Sequence, residues 1–288
     1  MKIILSPNPY RDKGLRTARA ADRMLREMGE KPVFCLPFSV EYNATIEMPK
    51  GIKYHAMQEE LDGADLIICF GGDGTILHAA KATKHHDVPI LGINMGSVGF
   101  MAELEHNELP MLKKLVTGDY RLENRMMLDV RVLRGGRAVF EDTILNDAVV
   151  SKGAVARGIE CVVLADGVQT FRSTGDGVIV STPTGSTAYS MSAGGPIVEP
   201  TAENLIVTPI CAHTLYARSV VLGAARTVEV NMGKLARRTA YLSTDGGKAF
   251  RLAPEDIVEV KRSKSVTKLV RLTDRTFYEI VNQKLNRP

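Results

Sequence analysis

Asp65-Leu-Ile-Ile-Cys-Phe-Gly71-Gly72-Asp73-Gly74-Thr75 runs five apolar residues straight into three glycines around one carboxylate. A near-continuous apolar run, rather than an alternating one, is the pattern of a strand buried on both faces of a parallel sheet. Glycines permit a tight turn and a close approach to a ligand, and the helix expected after Gly74 would aim free N–H groups at an anion. In open parallel sheets ligands bind beyond the carboxyl ends of the strands, where this turn sits. Asp73 is unusual in a phosphate cradle because like charges repel. It fits as a base for an attacking hydroxyl, as a holder of Mg²⁺, or simply as a helix cap. Neither G-x-x-x-x-G-K-[ST] nor G-x-G-x-x-G occurs, which disfavours a P-loop or a standard dinucleotide fold.

On either side of this stretch, short apolar runs alternate with helical periodicity. Strands are predicted at Lys2–Leu5, Val33–Leu36, Asp65–Phe70 and Val88–Ile93. A helix is predicted with Leu15, Ala18, Ala21, Leu25 and Met28 on one face, another after Gly74, and a third over Glu108–Val116. The texture changes near Tyr120. Beyond it residues alternate, with turn signals at Gly135-Gly136, Asp166-Gly167, Gly175-Asp176-Gly177 and Asp245-Gly246, as in antiparallel β structure. Helical spacing returns at Phe277, Ile280, Val281 and Leu285. The expected organisation is an α/β domain of residues 1–120 and 273–288, a parallel sheet with helices packed on it, with a mostly antiparallel β domain of residues 121–272 inserted.

The 288 residues are 44% hydrophobic and 24% charged, ordinary globular usage. Thirty-seven Lys and Arg against 33 Asp and Glu leave +4, and the basic residues are scattered, which disfavours nucleic acid as a partner. Cys35, Cys69, Cys161 and Cys211 each sit in an apolar run without a C-x-x-C pair, so buried free thiols in a reducing compartment are expected. No stretch approaches a signal peptide or a membrane span, and a soluble cytoplasmic protein is the expectation.

Three further stretches carry candidate chemistry. Gly92-Ile-Asn94-Met-Gly96-Ser-Val-Gly99-Phe100 follows the next strand, and two adjacent glycine-rich turns would leave a crevice; Phe100 stacks on a base or enters the core. Asn146-Asp147 could take a ribose diol or form an Asx turn. Gly175 through Pro196 is dense in Gly, Ser and Thr and nearly free of charge, which favours a ligand lying against backbone. His78, one turn past Thr75, lies within reach of a bound phosphate. The other histidines lack metal-ligand spacing.

Gly71-Gly-Asp-Gly-Thr75, Asn146-Asp147 and the run from Asp176 to Pro196, in this order, resemble the NAD kinase family over nearly the whole chain. The resemblance implies a Rossmann-like domain completed by the C-terminal segment, a central β-sandwich-like domain, and NAD between them. It implies Mg²⁺-assisted phosphoryl transfer from ATP or polyphosphate to the adenosine 2′-hydroxyl of NAD, giving NADP, by a homodimer or homotetramer. Asp73 matches the family's base and Gly74 an accompanying backbone contact. Asn146 and Asp147 match the Asn-Glu pair near the adenosine, Phe100 an aromatic beside the adenine, and Asp176 the contact to the nicotinamide half. Thr187, Ala188, Tyr189 and Ser192 match the Thr-Ala-Tyr-x-x-Ser stretch, and His78, Arg157 and Thr174 are carried over with them. Three positions depart: Asp147 stands where glutamate is usual, His78 where arginine is frequent, and Gly247 where glutamine often follows. A lipid kinase sharing the GGDGT loop and a non-catalytic NADP-binding module are the alternatives.

Overall fold

The computed structural model describes every residue except 39–45, 47, 97–98, 154–156, 214–215, 233–237 and 286–288. The chain divides into two units, Met1–Asn124 with Thr267–Pro288, and Arg125–Val266. Ser97 and Val98, within the second glycine-rich stretch, lie outside the described residues.

In the first unit the chain runs β1 (Ile3–Pro7), α1 (Arg16–Glu27), β2 (Val33–Cys35), β3 (Tyr54–His55), α2 (Met57–Glu60), β4 (Leu66–Gly71), α3 (Asp73–Thr83), β5 (Ile90–Asn94), β6 (Leu104–Glu105) and α4 (Lys113–Thr117). The strand order is β5-β4-β1-β2-β3, all parallel, with β6 paired to β5 and Leu269 of the returning chain paired to Ile90. Every residue of β1, β4 and β5 is buried, as the uninterrupted apolar runs require. The order reverses between β1 and β4, the switch point at which such sheets bind ligands.

Leu15, Ala18, Ala21 and Leu25 are all fully buried, so the periodic face of α1 is the packed one. Its first turn is closed by Asp12, whose carboxylate accepts the N–H groups of Thr17 and Ala18 at 3.0 and 2.9 Å. The predicted helix over Glu108–Val116 is present, beginning as a 3₁₀ turn at Leu109–Leu112, with Pro110 in its first turn, that widens into α4.

The second unit contains β7 (Arg121–Arg134), β8 (Arg137–Ile144), β9 (Asp147–Lys152), β10 (Ile159–Ala165), β11 (Val168–Gly175), β12 (Gly177–Ser181), α5 (Tyr189–Ser192), β13 (Asn204–Ile210), β14 (Val220–Gly223), β15 (Val228–Met232), β16 (Ala240–Thr244), β17 (Phe250–Leu252) and β18 (Ile257–Arg271). β7 begins, and β18 ends, in residues of the first unit. One antiparallel sheet runs β11-β10-β15-β18, with β7 beside β18 and β8 beside β7; the other runs β14-β13-β12-β9-β16-β17. Alternate residues of both sheets, among them Val130, Val163, Val178, Val180, Leu205 and Val230, form one apolar core. Val149 and Ile179 point the other way and pack with Ile210 and Ala193. Period-2 patterning thus yields a two-sheet sandwich.

Two expectations change here. Gly175-Asp176-Gly177 is not a hairpin turn. It is a corner at which the chain leaves β10's partner strand in one sheet and enters β12 in the other, with the Asp176 N–H on the Ile210 carbonyl at 2.9 Å. Cys35, Cys69 and Cys161 are buried, and burial pushes each thiol up to about 12, but Cys211 is exposed just past β13.

After β18 the chain closes on the first unit's own residues. Glu103, 4% exposed, accepts the N–H groups of Leu272 and Thr273 at 2.8 and 2.7 Å and the Thr273 hydroxyl at 2.6 Å. The buried Arg271 guanidinium donates to Glu103, to Glu123 and to the Met101 carbonyl. A capping box, Thr276 with Glu279, then starts α6 (Phe277–Leu285). Ile280 is buried, but Leu285, expected on the packed face, is 58% exposed. The inner row at spacings of three and four instead continues from Phe277, Ile280 and Val281 to the half-buried Lys284. Among the described residues no helix is long and apolar enough to cross a membrane.

Candidate active site

Gly71 pairs with Asn94 and Pro7 with Phe70, so β1, β4 and β5 end level with one another. Their three loops bound a cavity of about 370 Å³ lined by Asn8, Arg11, Gly72–Thr75, His78, Asn94, Gly96 and Gly99, with Phe38 and Lys284 beside them. Asn8 Nδ2 donates to Thr75 Oγ1 at 3.2 Å, tying the β1 loop to the first turn of α3. Asn94, 1% exposed, donates to the Gly96 carbonyl and to Glu105 while its own Oδ1 accepts the Gly96 N–H, which shapes the third loop.

Asp73 is the first residue of α3, but Gly72 occupies the cap position and no side chain caps the helix, so the helix-cap reading falls. The Asp73 carboxylate reaches across to the next loop instead. Oδ2 accepts the Phe100 N–H at 2.9 Å and Oδ1 the Met101 N–H at 3.1 Å. A Cβ on Gly99 would overlap Asp73 Oδ1, so only glycine allows this approach. Each carboxylate oxygen retains a second lone pair. Phe100 is 9% exposed, with the Lys284 ammonium 4.1 Å above its ring centre, while His78 is exposed and tilted against Phe38 at 5.2 Å. Among the described residues, no three His, Cys, Asp or Glu side chains gather as a metal site.

In the second unit Asn146 and Asp147 stand where β8 turns into β9, and both are buried. Their conformation is set by a residue the sequence pointed to only as a turn. Asp245 accepts the N–H groups of Leu145, Asn146 and Asp147 at 2.8, 2.8 and 3.1 Å. The Asx-turn reading fails at Asn146, whose Oδ1 is buried with no hydrogen-bond partner among the described residues. Burial pushes the Asp147 carboxyl up to about 7; the Asp245 charge adds to this and the Tyr189 N–H opposes it. Burial also raises Asp245, against the three N–H bonds that favour its charge.

The Gly/Ser/Thr-rich run packs directly on this turn. The Thr182 hydroxyl donates to the Leu145 carbonyl at 2.6 Å and accepts the Gly185 N–H at 3.0 Å, and a Cβ on Gly185 would overlap the Asn146 carbonyl. Thr187 and Ala188 follow half-buried, Tyr189 is 45% exposed, and Ser192 is exposed. Asp147 lies opposite Ser181 in the β9–β12 ladder. At the other end, the Lys152 ammonium pairs with the Asp176 carboxylate at 2.6 Å, and Thr174 lies half-buried two residues before Asp176. Lys152 lies five positions along β9 from Asp147, about 16 Å of strand. Arg157 is exposed and makes no ion pair among the described residues.

Comparison with known proteins covers both units. Residues 16–120 match the family model described as the ATP-NAD kinase N-terminal domain, and residues 145–272 match the ATP-NAD kinase C-terminal domain. An NAD kinase of Acetivibrio thermocellus is 35% identical over 288 residues, 99% of this chain and 97% of that protein. An NAD kinase of Symbiobacterium thermophilum is 45% identical over 223 residues, 77% of this chain and 78% of that protein. Among solved structures, yeast NADH kinase complexed with NADH superposes with a TM-score of 0.85 at 24% identity, covering 99% of this chain and 87% of that one. An Archaeoglobus fulgidus NAD kinase in complex with ATP gives 0.75 at 25% identity, covering 99% and 98%.

Proposed function

The chain belongs to the NAD kinase family, and from that premise we propose that Asp73 takes the proton from the adenosine 2′-hydroxyl of NAD as ATP delivers a phosphoryl group to that oxygen. As an NAD kinase it is a phosphotransferase acting on an alcohol, and its product is NADP. A lipid kinase sharing only the GGDGT loop does not account for the match over residues 145–272.

The observation that carries the role of Asp73 is its carboxylate, held by two loop N–H groups at the cavity while each oxygen keeps a lone pair for a hydroxyl. Phosphoryl transfer asks mainly for alignment and charge neutralisation, so a fixed base beside a phosphate cradle is a sufficient set of parts. We assign the donor's phosphates to the backbone around Gly72–Gly74 and the N-terminus of α3, with His78 at the rim. Mg²⁺ supplies charge neutralisation across those phosphates when bound. One carboxylate suits an ion that arrives with the phosphates better than a resident cage.

Asn146 and Asp147 are assigned to the adenosine half of NAD, because a buried acceptor without a partner awaits a donor such as an amino or hydroxyl group. Asp176, with Thr174, is assigned to the nicotinamide half, a separation of about 16 Å that an extended dinucleotide can span. Thr187, Ala188, Tyr189 and Ser192 border the adenosine end; Phe100 and Arg157 are carried as further contacts on family grounds. A homodimer or homotetramer, testable by light scattering, and a cytoplasmic site, in keeping with the buried free thiols, complete the reading. The test is direct: NAD, Mg²⁺ and ATP or polyphosphate are incubated with the folded protein and NADP is measured. No NADP with either donor refutes the proposal.

A further inference from the structure

Lys284 stands at a position where helical spacing calls for an apolar residue, on the inner row of α6 behind Phe277, Ile280 and Val281. Its ammonium lies over the face of Phe100, the same residue whose N–H is donated to Asp73, and it lines the cavity of the glycine-rich loop. A large share of local structure serves to bring it there. Glu103 fixes the backbone of Leu272 and Thr273, Arg275 donates to the Glu103 carbonyl and to Glu108, and the Thr276–Glu279 capping box sets the helix direction. From the other end of the chain Arg11, in the loop after β1, lines the same cavity and makes no ion pair among the described residues. Among the described residues Asp73 is the single carboxylate of that lining, and both its oxygens already accept backbone N–H groups.

We propose that Arg11 and Lys284, brought together from the two ends of the chain, clamp the phosphate chain of the donor, with Lys284 on the side of Phe100 and Asp73. The inference rests on the kinase reading of this cavity. Two cations about one polyphosphate neutralise charge that the glycine cradle alone offsets only through partial dipoles. The planar guanidinium suits bidentate capture of a non-transferred phosphate, whereas a compact ammonium suits the group whose charge redistributes during transfer. The aromatic face beneath Lys284 attracts the ammonium and fixes its place over Phe100.

The test compares Lys284→Met, Lys284→Arg and Arg11→Met with the parent in steady-state NADP formation, varying ATP and NAD separately with Mg²⁺ present, and titrates each with inorganic tripolyphosphate by calorimetry. Lys284→Met is expected to lower kcat/KM for ATP by about 10²-fold, with KM for NAD little changed and with Lys284→Arg recovering most of the loss. Arg11→Met is expected to act mainly on KM for ATP, and both Met variants to bind tripolyphosphate about tenfold more weakly. Parent-like kcat/KM for ATP in Lys284→Met, or equal weakening toward ATP and NAD, overturns the clamp. Should Lys284→Met not fold, Lys284→Arg and Arg11→Met decide, and parent-like ATP kinetics and tripolyphosphate binding in Arg11→Met overturn it. A parent that makes no NADP refutes the kinase reading instead, and the tripolyphosphate titrations then still decide whether these two cations hold a polyphosphate.

Discussion

Both oxygens of Asp73 hold a backbone N–H, and that arrangement makes asparagine an informative replacement. Asparagine keeps the size but offers one acceptor oxygen and no proton uptake. Asp73→Asn should lower kcat by roughly 10²–10⁴-fold while NAD affinity stays near the parent's, measured by steady-state kinetics and by NAD titration. Recovery of turnover at high Mg²⁺ would move Asp73 from base to metal holder. Asp147 poses a different test, because burial beside Asp245 raises its carboxyl from the ordinary 3.8 to about 7. A raised carboxyl binds its proton more tightly folded than unfolded, so its contribution to stability is complete below about pH 4 and is lost as pH rises through about 7. Asp147→Asn removes the titrating group. It should exceed the parent in urea stability at pH 8, with the difference shrinking toward pH 5; parallel profiles would show that Asp147 does not titrate in this window.

At the scale of elements, the return of the chain into its first unit hangs on a buried ion network rather than on helix propensity. Arg271 and Glu103 are 7% and 4% exposed, and Arg271 also holds the carbonyl of Met101, whose N–H is donated to Asp73. Removing one partner of a buried pair leaves the other uncompensated, so Arg271→Met should cost about 3–5 kcal/mol in urea unfolding. Because Met101 links the network to Asp73, the folded fraction of this variant should also lose kcat. The Asp245 nest is the counterpart in the second unit, three N–H groups on one carboxylate that set the turn at Asn146 and Asp147. Asp245→Ala should therefore raise KM for NAD more than KM for ATP, and equal changes in both would show a general loss of structure.

At the scale of the whole molecule, a net charge of +4 spread over 288 residues gives no dominant field, so ligand selection falls to local groups. A dinucleotide that binds only the folded chain must stabilise it by mass action. NADP at a hundredfold its Kd should raise the unfolding free energy by about 2.7 kcal/mol, read as a shifted urea midpoint. No shift at saturating NADP and NAD would contradict the assignment of Asn146, Asp147 and Asp176 to the dinucleotide.

Local patterning was enough to place β1, β4 and β5, the two glycine-rich turns, the packed face of α1 and the switch to antiparallel β structure near Tyr120, because burial on two faces or one imprints a period on the residues themselves. β3 and β6 are two residues long and too short to carry any period. The corner at Gly175–Gly177 read as a turn because a change of sheet uses the same small residues as a hairpin. Asp73 could be seen as a special carboxylate, but its N–H donors are 27 and 28 residues away. Asp245 lies about a hundred residues from the turn it holds, and Arg271 lies 168 from Glu103. Lys284 broke the apolar row of α6 without any sign of what it faced. Which strands neighbour one another, which buried carboxyl is raised and which cations line a cavity all depend on groups far apart along the chain, and only the folded arrangement brings those groups within a few ångströms.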